Sequence, residues 1–182
     1  YTPGGTGPGG VMGYINSQFD QTLSWDDAAA IREEWTRPDR SSEGVTRRFV
    51  IKGIQCVEDA RLAADIGCDG VMLSNHGGRQ LDHAVAPIDL LPEVVDAVGG
   101  GGMQIILDGG IRRGTDILKA LALGADACSI GRAYLYGLGA GGEKGVARAI
   151  DLLATELRVA MTLTGCTSIK EIDASVVSRL PS

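Results

Sequence analysis

Four short apolar runs, each followed by a turn and an amphipathic segment, constrain the fold of this chain more than any other feature. The apolar runs lie at 49–52, 70–74, 104–108 and 127–131, and the amphipathic segments at 57–66, 88–98, 115–123 and 143–163. Because these runs are continuously apolar and do not alternate with polar residues, they predict a parallel sheet buried on both faces. One more helix is predicted before the first strand, from an N-cap at Ser24 to Trp35.

Two architectures contain such repeats, the doubly wound open sheet and the (β/α)8 barrel, and both bind ligands at the carboxyl ends of the strands. The position of the glycine motifs favours the barrel. The open sheet would carry GxGxxG after its first strand, where this chain has GIQCVEDA. GGIRRG and GRA follow the last two strands instead, where barrels often bind phosphate. The predicted fold class is therefore α/β, a (β/α)8 TIM barrel.

A complete barrel takes about 250 residues, whereas this chain has 182 residues and four strand–helix units. We therefore expect residues 24–182 to form the carboxyl half of a barrel, roughly units five to eight. The amino-terminal half is then an expected partner, because the half-barrel alone would expose two sheet edges. Residues 1–23 begin with YTPGGTGPGG and are predicted to be a loop or linker. Residues 39–48, DRSSEGVTRR, are predicted to be a polar surface insert.

The composition excludes several classes of protein. With 44% hydrophobic residues, 22% charged residues and a net charge of -6, the sequence is typical of a soluble globular protein and argues against a nucleic-acid partner. The four cysteines are far apart and form no CxxC pair, so neither a zinc site nor a disulfide scaffold is expected. No signal peptide or membrane-spanning run is visible, and a cytoplasmic location is expected.

The segment SNHGGRQLD follows the second strand and combines an imidazole with a guanidinium. His76 can accept a proton near neutral pH, and Arg79 can bind a carboxylate through two parallel hydrogen bonds. At the mouth of a barrel both side chains can face one substrate. A match of this kind taken alone is more often a glycine turn with a histidine and an arginine on the surface.

Two further turns predict an anion site. In DGGIRRGTD, glycines allow backbone N–H groups to approach an anion, the following helix start adds partial positive charge, and Arg112 or Arg113 adds a full one. Gly131 and Arg132 offer a second amide and guanidinium pair after the next strand. Lys52 ends the first strand and should face the polar mouth or a ligand, because a buried unpaired lysine is unfavourable.

With VIKGI, VMLSNHGGRQLD and ILDGGIRRGTDILKALALGADACSIGRAYLYGL in this order, the chain resembles the FMN-dependent α-hydroxy-acid oxidases and dehydrogenases. This is the family of glycolate oxidase, lactate oxidase, mandelate dehydrogenase and flavocytochrome b2. The resemblance runs from about residue 25 to 165 and covers the carboxyl half of the family domain. It implies that His76 is the active-site base, that Arg79 binds the substrate carboxylate, and that Lys52 lies against the flavin. The implied FMN-binding residues are Lys52, Ser74, Asp108, Gly109, Gly110, Ile111, Arg112, Gly131 and Arg132.

The resemblance further implies oxidation of an L-2-hydroxy acid to a 2-oxo acid, with FMN as cofactor. It leaves open whether the substrate is glycolate, lactate or mandelate and which electron acceptor reoxidises the flavin. A homo-oligomer, commonly a tetramer in the family, is the implied assembly. Two alternatives stay open: a catalytically silent half-barrel that needs its amino-terminal half, and another FMN-dependent barrel enzyme.

Overall fold

The structure is a computed structural model that describes residues 10–18, 20, 22–37 and 47–178. The chain divides into two compact units, Tyr1–Val45 and Thr46–Ser182. Residues 1–9 of the predicted linker and residues 39–46 of the predicted insert lie outside the described residues. The predicted limits of the half-barrel domain therefore stay a prediction.

Among its described residues, the first unit contains two helices, α1 (Gly10–Ser17) and α2 (Trp25–Thr36). The predicted N-cap of α2 is confirmed, since the Ser24 hydroxyl accepts a hydrogen bond from the Asp27 N–H and the Asp27 carboxylate accepts one from the Ser24 N–H. The loop predicted for residues 1–23 is wrong at α1. The prolines of this segment lie before α1, and α1 itself contains no proline, although it includes Gly10 and Gly13, which lower helix propensity.

The second unit begins with the predicted alternation of strands and helices. In chain order it contains β1 (Val50–Ile54), α3 (Val57–Asp65), β2 (Gly70–Leu73), α4 (Pro87–Val98), β3 (Gln104–Asp108), α5 (Gly114–Ala122), β4 (Ala127–Ser129) and α6 (Arg132–Thr164). Single 3₁₀ turns lie at His76–Gly78, Gly99–Gly101, Ile169–Glu171 and Ala174–Val176. All predicted strands and helices of this unit are therefore confirmed to within a few residues, apart from the start of α6.

The strands of the described sheet are parallel and lie in the order β1-β2-β3-β4. A doubly wound sheet reverses its strand order at a switch point, whereas a barrel keeps neighbours in sequence. The sequential order confirms the choice of a barrel over an open sheet. Since successive strands are joined by helices, all four carboxyl ends lie at one edge of the sheet.

In the two central strands, β2 and β3, one face of the sheet is fully covered by helices and the other is not. Val71, Leu73, Ile105 and Leu107 point towards the helices and are at most 1% exposed. The side chains between them in the strands, such as that of Ile106, are only half-buried. Parallel strands normally bury both faces, so this second face corresponds to the interior of a barrel of which this unit forms a part.

Helix α6 consists of two helical segments, residues 132–140 and 143–164, because Gly141 and Gly142 leave the helical conformation between them. The sequence predicted only the second segment. The first was missed because it is interrupted by glycines, which lower helix propensity by about 1 kcal/mol each. This first segment is a short extra helix that begins shortly after β4.

Candidate active site

A compact polar cluster lies at the carboxyl ends of the first three strands. The Lys52 ammonium lies 2.9 Å from the Ser74 hydroxyl and 2.7 Å from Asp108 Oδ2. Ser74 donates a hydrogen bond of 2.6 Å to the same Asp108 oxygen. Because Ser74 is fully buried, its hydroxyl depends on these protein partners and not on water. The structure therefore joins three predicted site residues that are up to 56 positions apart in sequence.

The cluster keeps Asp108 ionised. Burial on its own raises the pKa of this carboxyl group. Hydrogen bonds from Lys52, Ser74 and Ser129, together with the positive charge of Lys52, outweigh burial, and the net result is a lowered pKa. At neutral pH the carboxylate therefore holds the lysine side chain at the mouth, where 46% of that side chain is exposed.

His76 follows β2 in an unusual backbone conformation. Its φ is +54°, in the left-handed region, and the next two glycines also have positive φ. The Ser74 hydroxyl accepts a hydrogen bond of 3.1 Å from the His76 N–H, which ties the histidine backbone to the polar cluster. A Cβ at Gly53 would come within 3.0 Å of the imidazole, so the ring lies against the backbone of β1. Glycine at position 53 leaves room for the ring.

Arg79 lies in the loop after β2, and Arg132, which follows β4, extends towards the same loop. Arg79 donates from Nε to the His76 carbonyl oxygen at 3.0 Å, which leaves its two terminal nitrogens for a ligand. Arg132 follows β4, and its guanidinium lies near Gly77, 3.7 Å from where a Cβ on that glycine would be. Two guanidinium groups and one imidazole thus surround the turn after β2.

The start of α5 is not open to an anion, although the sequence suggested that it would be. Asp116 accepts hydrogen bonds of 2.9 Å from the backbone N–H groups of both Arg112 and Arg113. Glu156 of α6 accepts the N–H of Gly114 at 2.9 Å and lies 4.0 Å from the Arg113 guanidinium. These two carboxylates occupy the N–H groups that would otherwise bind an anion.

The start of α6 has the opposite character. Its N-cap residue is Gly131, no side chain caps it, and its first turn contains no acidic residue. Gly109, Gly110 and Gly131 all border open space, since no atom would lie within 4 Å of a Cβ at any of them. The unsatisfied N–H groups of a helix start attract anions, and barrels frequently bind phosphate at a short extra helix after the last strand. Residues 132–140 are such a helix.

The two remaining predicted residues, Ile111 and Arg112, differ in how far their side chains are buried. Ile111 is 5% exposed, so its side chain packs in the core and only its backbone could meet a ligand. Arg112 is exposed and forms no ion pair with any other described residue, whereas Arg113 faces Glu156. Of the two arginines that the sequence left open, Arg112 is the one whose guanidinium remains available.

Sequence reasoning missed the residues that hold these groups in place. The sequence did not predict a role for Asp116 or Glu156, because carboxylates on helices usually face solvent, although Asp116 at the third helical position is a recognisable capping signal. The sequence analysis predicts no separate role for Asn75, which lies in the polar segment after the second strand. An asparagine before a glycine pair is the sequence signal for a side chain that hydrogen-bonds to the backbone two residues on.

The sequential parallel strands define half of a TIM barrel, with a polar cluster at their carboxyl ends and an uncapped helix start after the last strand. Residues 4–179 match the family described as FMN-dependent dehydrogenase. The chain belongs to this family, whose members depend on FMN. The fold and the family that the sequence predicted are both confirmed.

Two curated relatives show how far the similarity extends. The chain is 46% identical over 175 residues to an L-lactate dehydrogenase of Xanthomonas euvesicatoria pv. vesicatoria, which covers 96% of this chain and 42% of the relative. It is 45% identical over 172 residues to 2-hydroxyacid oxidase 1 of Mus musculus, covering 94% of this chain and 44% of the relative. This chain therefore spans less than half the length of these relatives.

The similarity extends to solved structures. A structure described as the monotopic membrane protein (S)-mandelate dehydrogenase matches with a TM-score of 0.82 and 34% identity, over 99% of this chain and 45% of that one. In the described part of this chain, no helix has the length and apolar character needed to cross a membrane.

Proposed function

We propose that this chain forms the carboxyl-terminal half of an FMN-dependent enzyme that oxidises an L-2-hydroxy acid to a 2-oxo acid. The observation that carries the proposal is the convergence of His76, Arg79 and the Lys52–Ser74–Asp108 cluster at the strand edge where the uncapped start of α6 also lies. An acid–base group, a carboxylate-binding group and a phosphate-binding helix start are the parts that such a reaction needs. The names of the relatives support lactate and other 2-hydroxy acids as the substrate class.

The residues present fit FMN. The glycines at 109, 110 and 131 border open space, and the N–H groups at the start of α6 have no side-chain cap, as a phosphate site requires. Arg112 and Arg132 would add positive charge to the phosphate, and Lys52, Ser74 and Asp108 would hold the remainder of the cofactor. When bound, FMN supplies the two-electron redox chemistry that protein side chains lack.

The side chains of this chain would perform the other steps. Arg79 binds the substrate carboxylate through its terminal nitrogens, because its Nε is already hydrogen-bonded to the His76 carbonyl. This places the substrate next to the imidazole, and His76 accepts a proton from it. Lys52 presents a positive charge at the mouth, which favours binding of an electron-rich group there. The amino-terminal half of the barrel completes the site, and the assembled protein is a homo-oligomer.

The proposal is tested on the full-length protein that contains this chain. It should be yellow as purified, should lose its visible absorbance anaerobically with L-lactate, glycolate or L-mandelate, and should yield the 2-oxo acid. His76→Gln should retain FMN and lose turnover by about a hundredfold or more, the range for a general base.

His83→Gln is the matched control, since His83 is also a loop histidine with positive φ, and its side chain is 94% exposed. It should leave turnover unchanged. A colourless protein that does not bind added FMN would refute the flavin site. Full turnover in His76→Gln would show that His76 is not the base.

The alternative, a silent half-barrel, is favoured by the incompletely covered sheet face and is tested on the 182-residue chain alone. Sedimentation and FMN titration distinguish the two. If the chain is monomeric, binds no flavin and becomes active only when the amino-terminal half is added, the half-barrel is inactive by itself.

A further inference from the structure

We propose that Asn75 is a positioning residue that fixes the catalytic His76 and the substrate-binding Arg79 in one rigid loop. The inference rests on the proposed function, because it assigns a role within that site. It starts from the backbone of the turn after β2, where His76, Gly77 and Gly78 all have positive φ. A non-glycine residue in this region is strained, by about 1–3 kcal/mol, and persists only where its surroundings hold it.

The first contact of Asn75 lies inside this turn. Its side-chain oxygen accepts a hydrogen bond of 3.1 Å from the Gly77 N–H, which caps the 3₁₀ turn that His76 begins. Its backbone carbonyl accepts a second one, of 2.9 Å, from the Gly78 N–H. Both N–H groups directly after His76 are therefore held by Asn75. This contact fixes the peptide that determines where the imidazole points.

The second contact lies at the far end of the loop. The Asn75 side-chain nitrogen donates a hydrogen bond of 3.2 Å to the carbonyl oxygen of Val85, two residues before α4 begins. One amide group therefore joins the beginning and the end of the loop that contains Arg79. Residues 79–83 between these two anchors are exposed, so packing alone does not hold them.

Asparagine is the one residue type of this length that can make both contacts. Its amide has an acceptor oxygen and a donor nitrogen at the same time, whereas aspartate is acceptor-only when ionised. Substitution by aspartate should keep the contact to Gly77 and lose the contact to Val85. Substitution by alanine loses both. The two variants thus separate the position of His76 from the position of Arg79.

The test compares wild-type full-length protein with Asn75→Ala and Asn75→Asp. For Asn75→Ala we expect kcat to fall about 10- to 100-fold and the KM for the hydroxy acid to rise, because small displacements of reacting groups have effects of this size. For Asn75→Asp we expect mainly a rise in KM, about fivefold or more, because one hydrogen bond is lost. The negative charge that aspartate adds would shift the pH profile of kcat/KM, whereas the loss of the hydrogen bond would lower its plateau. Full pH profiles therefore separate the two effects. FMN content should stay unchanged in both.

A second measurement does not depend on activity. Trypsin cleaves after arginine, and Arg79 is exposed, so the rate of cleavage between Arg79 and Gln80 reports how firmly the loop is held. We expect faster cleavage in Asn75→Ala, and in Asn75→Asp to a smaller extent. The control is Asp173→Ala, because Asp173 caps another 3₁₀ turn by accepting the Ser175 N–H two residues on. It should change neither turnover nor cleavage at Arg79.

The outcomes separate this inference from the proposed function. If the wild-type protein is active and Asn75→Ala has the same kcat, KM and cleavage rate, the inference is overturned and the proposed function stands. A lower melting temperature with unchanged kinetics assigns Asn75 a structural role only, and also overturns it. Wild-type protein without flavin or turnover overturns the proposed function and, with it, the catalytic part of the inference.

Discussion

The hydrogen bond between Ser74 and Asp108 is the contact on which the polar cluster most depends. The perturbation is a double-mutant cycle of Ser74→Ala, Asp108→Ala and the combined variant. Ser74 is fully buried, its partner side chain is 15% exposed, and the two oxygens lie 2.6 Å apart. Removing the carboxylate alone leaves a buried hydroxyl proton without an acceptor, whereas removing both groups removes that hydroxyl donor as well.

The magnitudes rank the contacts of Asp108. Hydrogen bonds to charged groups contribute about 1.5–3 kcal/mol, and an orphaned buried donor costs about 1–3 kcal/mol. The ion pair with Lys52 is weaker despite its 2.7 Å separation, because 46% of the lysine side chain is exposed and exposed pairs contribute about 0–1 kcal/mol. We therefore expect Asp108→Ala to lower the free energy of unfolding by about 2–3 kcal/mol, and Lys52→Met by about 1 kcal/mol or less.

The assay is urea unfolding of the wild type and of the variants, followed by far-ultraviolet circular dichroism. The double variant should be about 1–2 kcal/mol more stable than the sum of the two single effects predicts, which is the coupling expected for residues in contact. Additive effects within about 0.5 kcal/mol would show that the two groups do not depend on each other. Equal losses in Lys52→Met and Asp108→Ala would refute the ranking by burial.

Two further predictions concern the helical segment 132–140, where we propose that the phosphate binds, and the pH dependence of stability. Gly145→Ala should weaken FMN binding about tenfold or more, because a side chain there would collide with the backbone of Gly137 and displace residues 132–140. Fluorescence titration measures it, and Gly139→Ala, with no atom within 4 Å of the added Cβ, should bind FMN normally. Since the pKa of Asp108 is lowered in the folded protein, its stabilising effect is complete above about pH 4 and is lost as the pH falls through the lowered value. The stability difference between wild type and Asp108→Asn should therefore vanish in acid, and a difference that grows in acid would contradict this.

The sequence predicts the elements of the half-barrel well because their signals are local. Each strand is a continuous apolar run, and each following helix has apolar residues on one face. The same reasoning failed at α1 and at residues 132–140, where glycine content suggested irregular structure. Intrinsic propensity is a weak preference that tertiary context overrides, and no local signal reports that context.

The position of the proposed phosphate site shows a second limit of local reasoning. Both GGIRRG and GRA precede helices, and both look like anion sites in the sequence. The difference depends on Glu156, which lies 42 residues after Gly114 and accepts its N–H. A contact over that distance follows from how α5 packs on α6. Only the structure shows that the first helix start is occupied and that the second has no cap.

The register of the sheet explains why the polar cluster forms at all. Lys52 pairs with Met72, but the next pair is Ile54 with Leu73, so Gly53 is an extra residue in β1. Such a bulge redirects the side chains beside it. Lys52 itself lies before the bulge. It pairs with Met72, which pairs with Ile106, and Ser74 and Asp108 lie two residues after these partners, so all three polar side chains point to the same face. The bulge also places the backbone of Gly53, which has no side chain, against the His76 ring. The meeting of Lys52 with Ser74 and Asp108 thus depends on the pairing of three strands, which no local pattern in the sequence specifies.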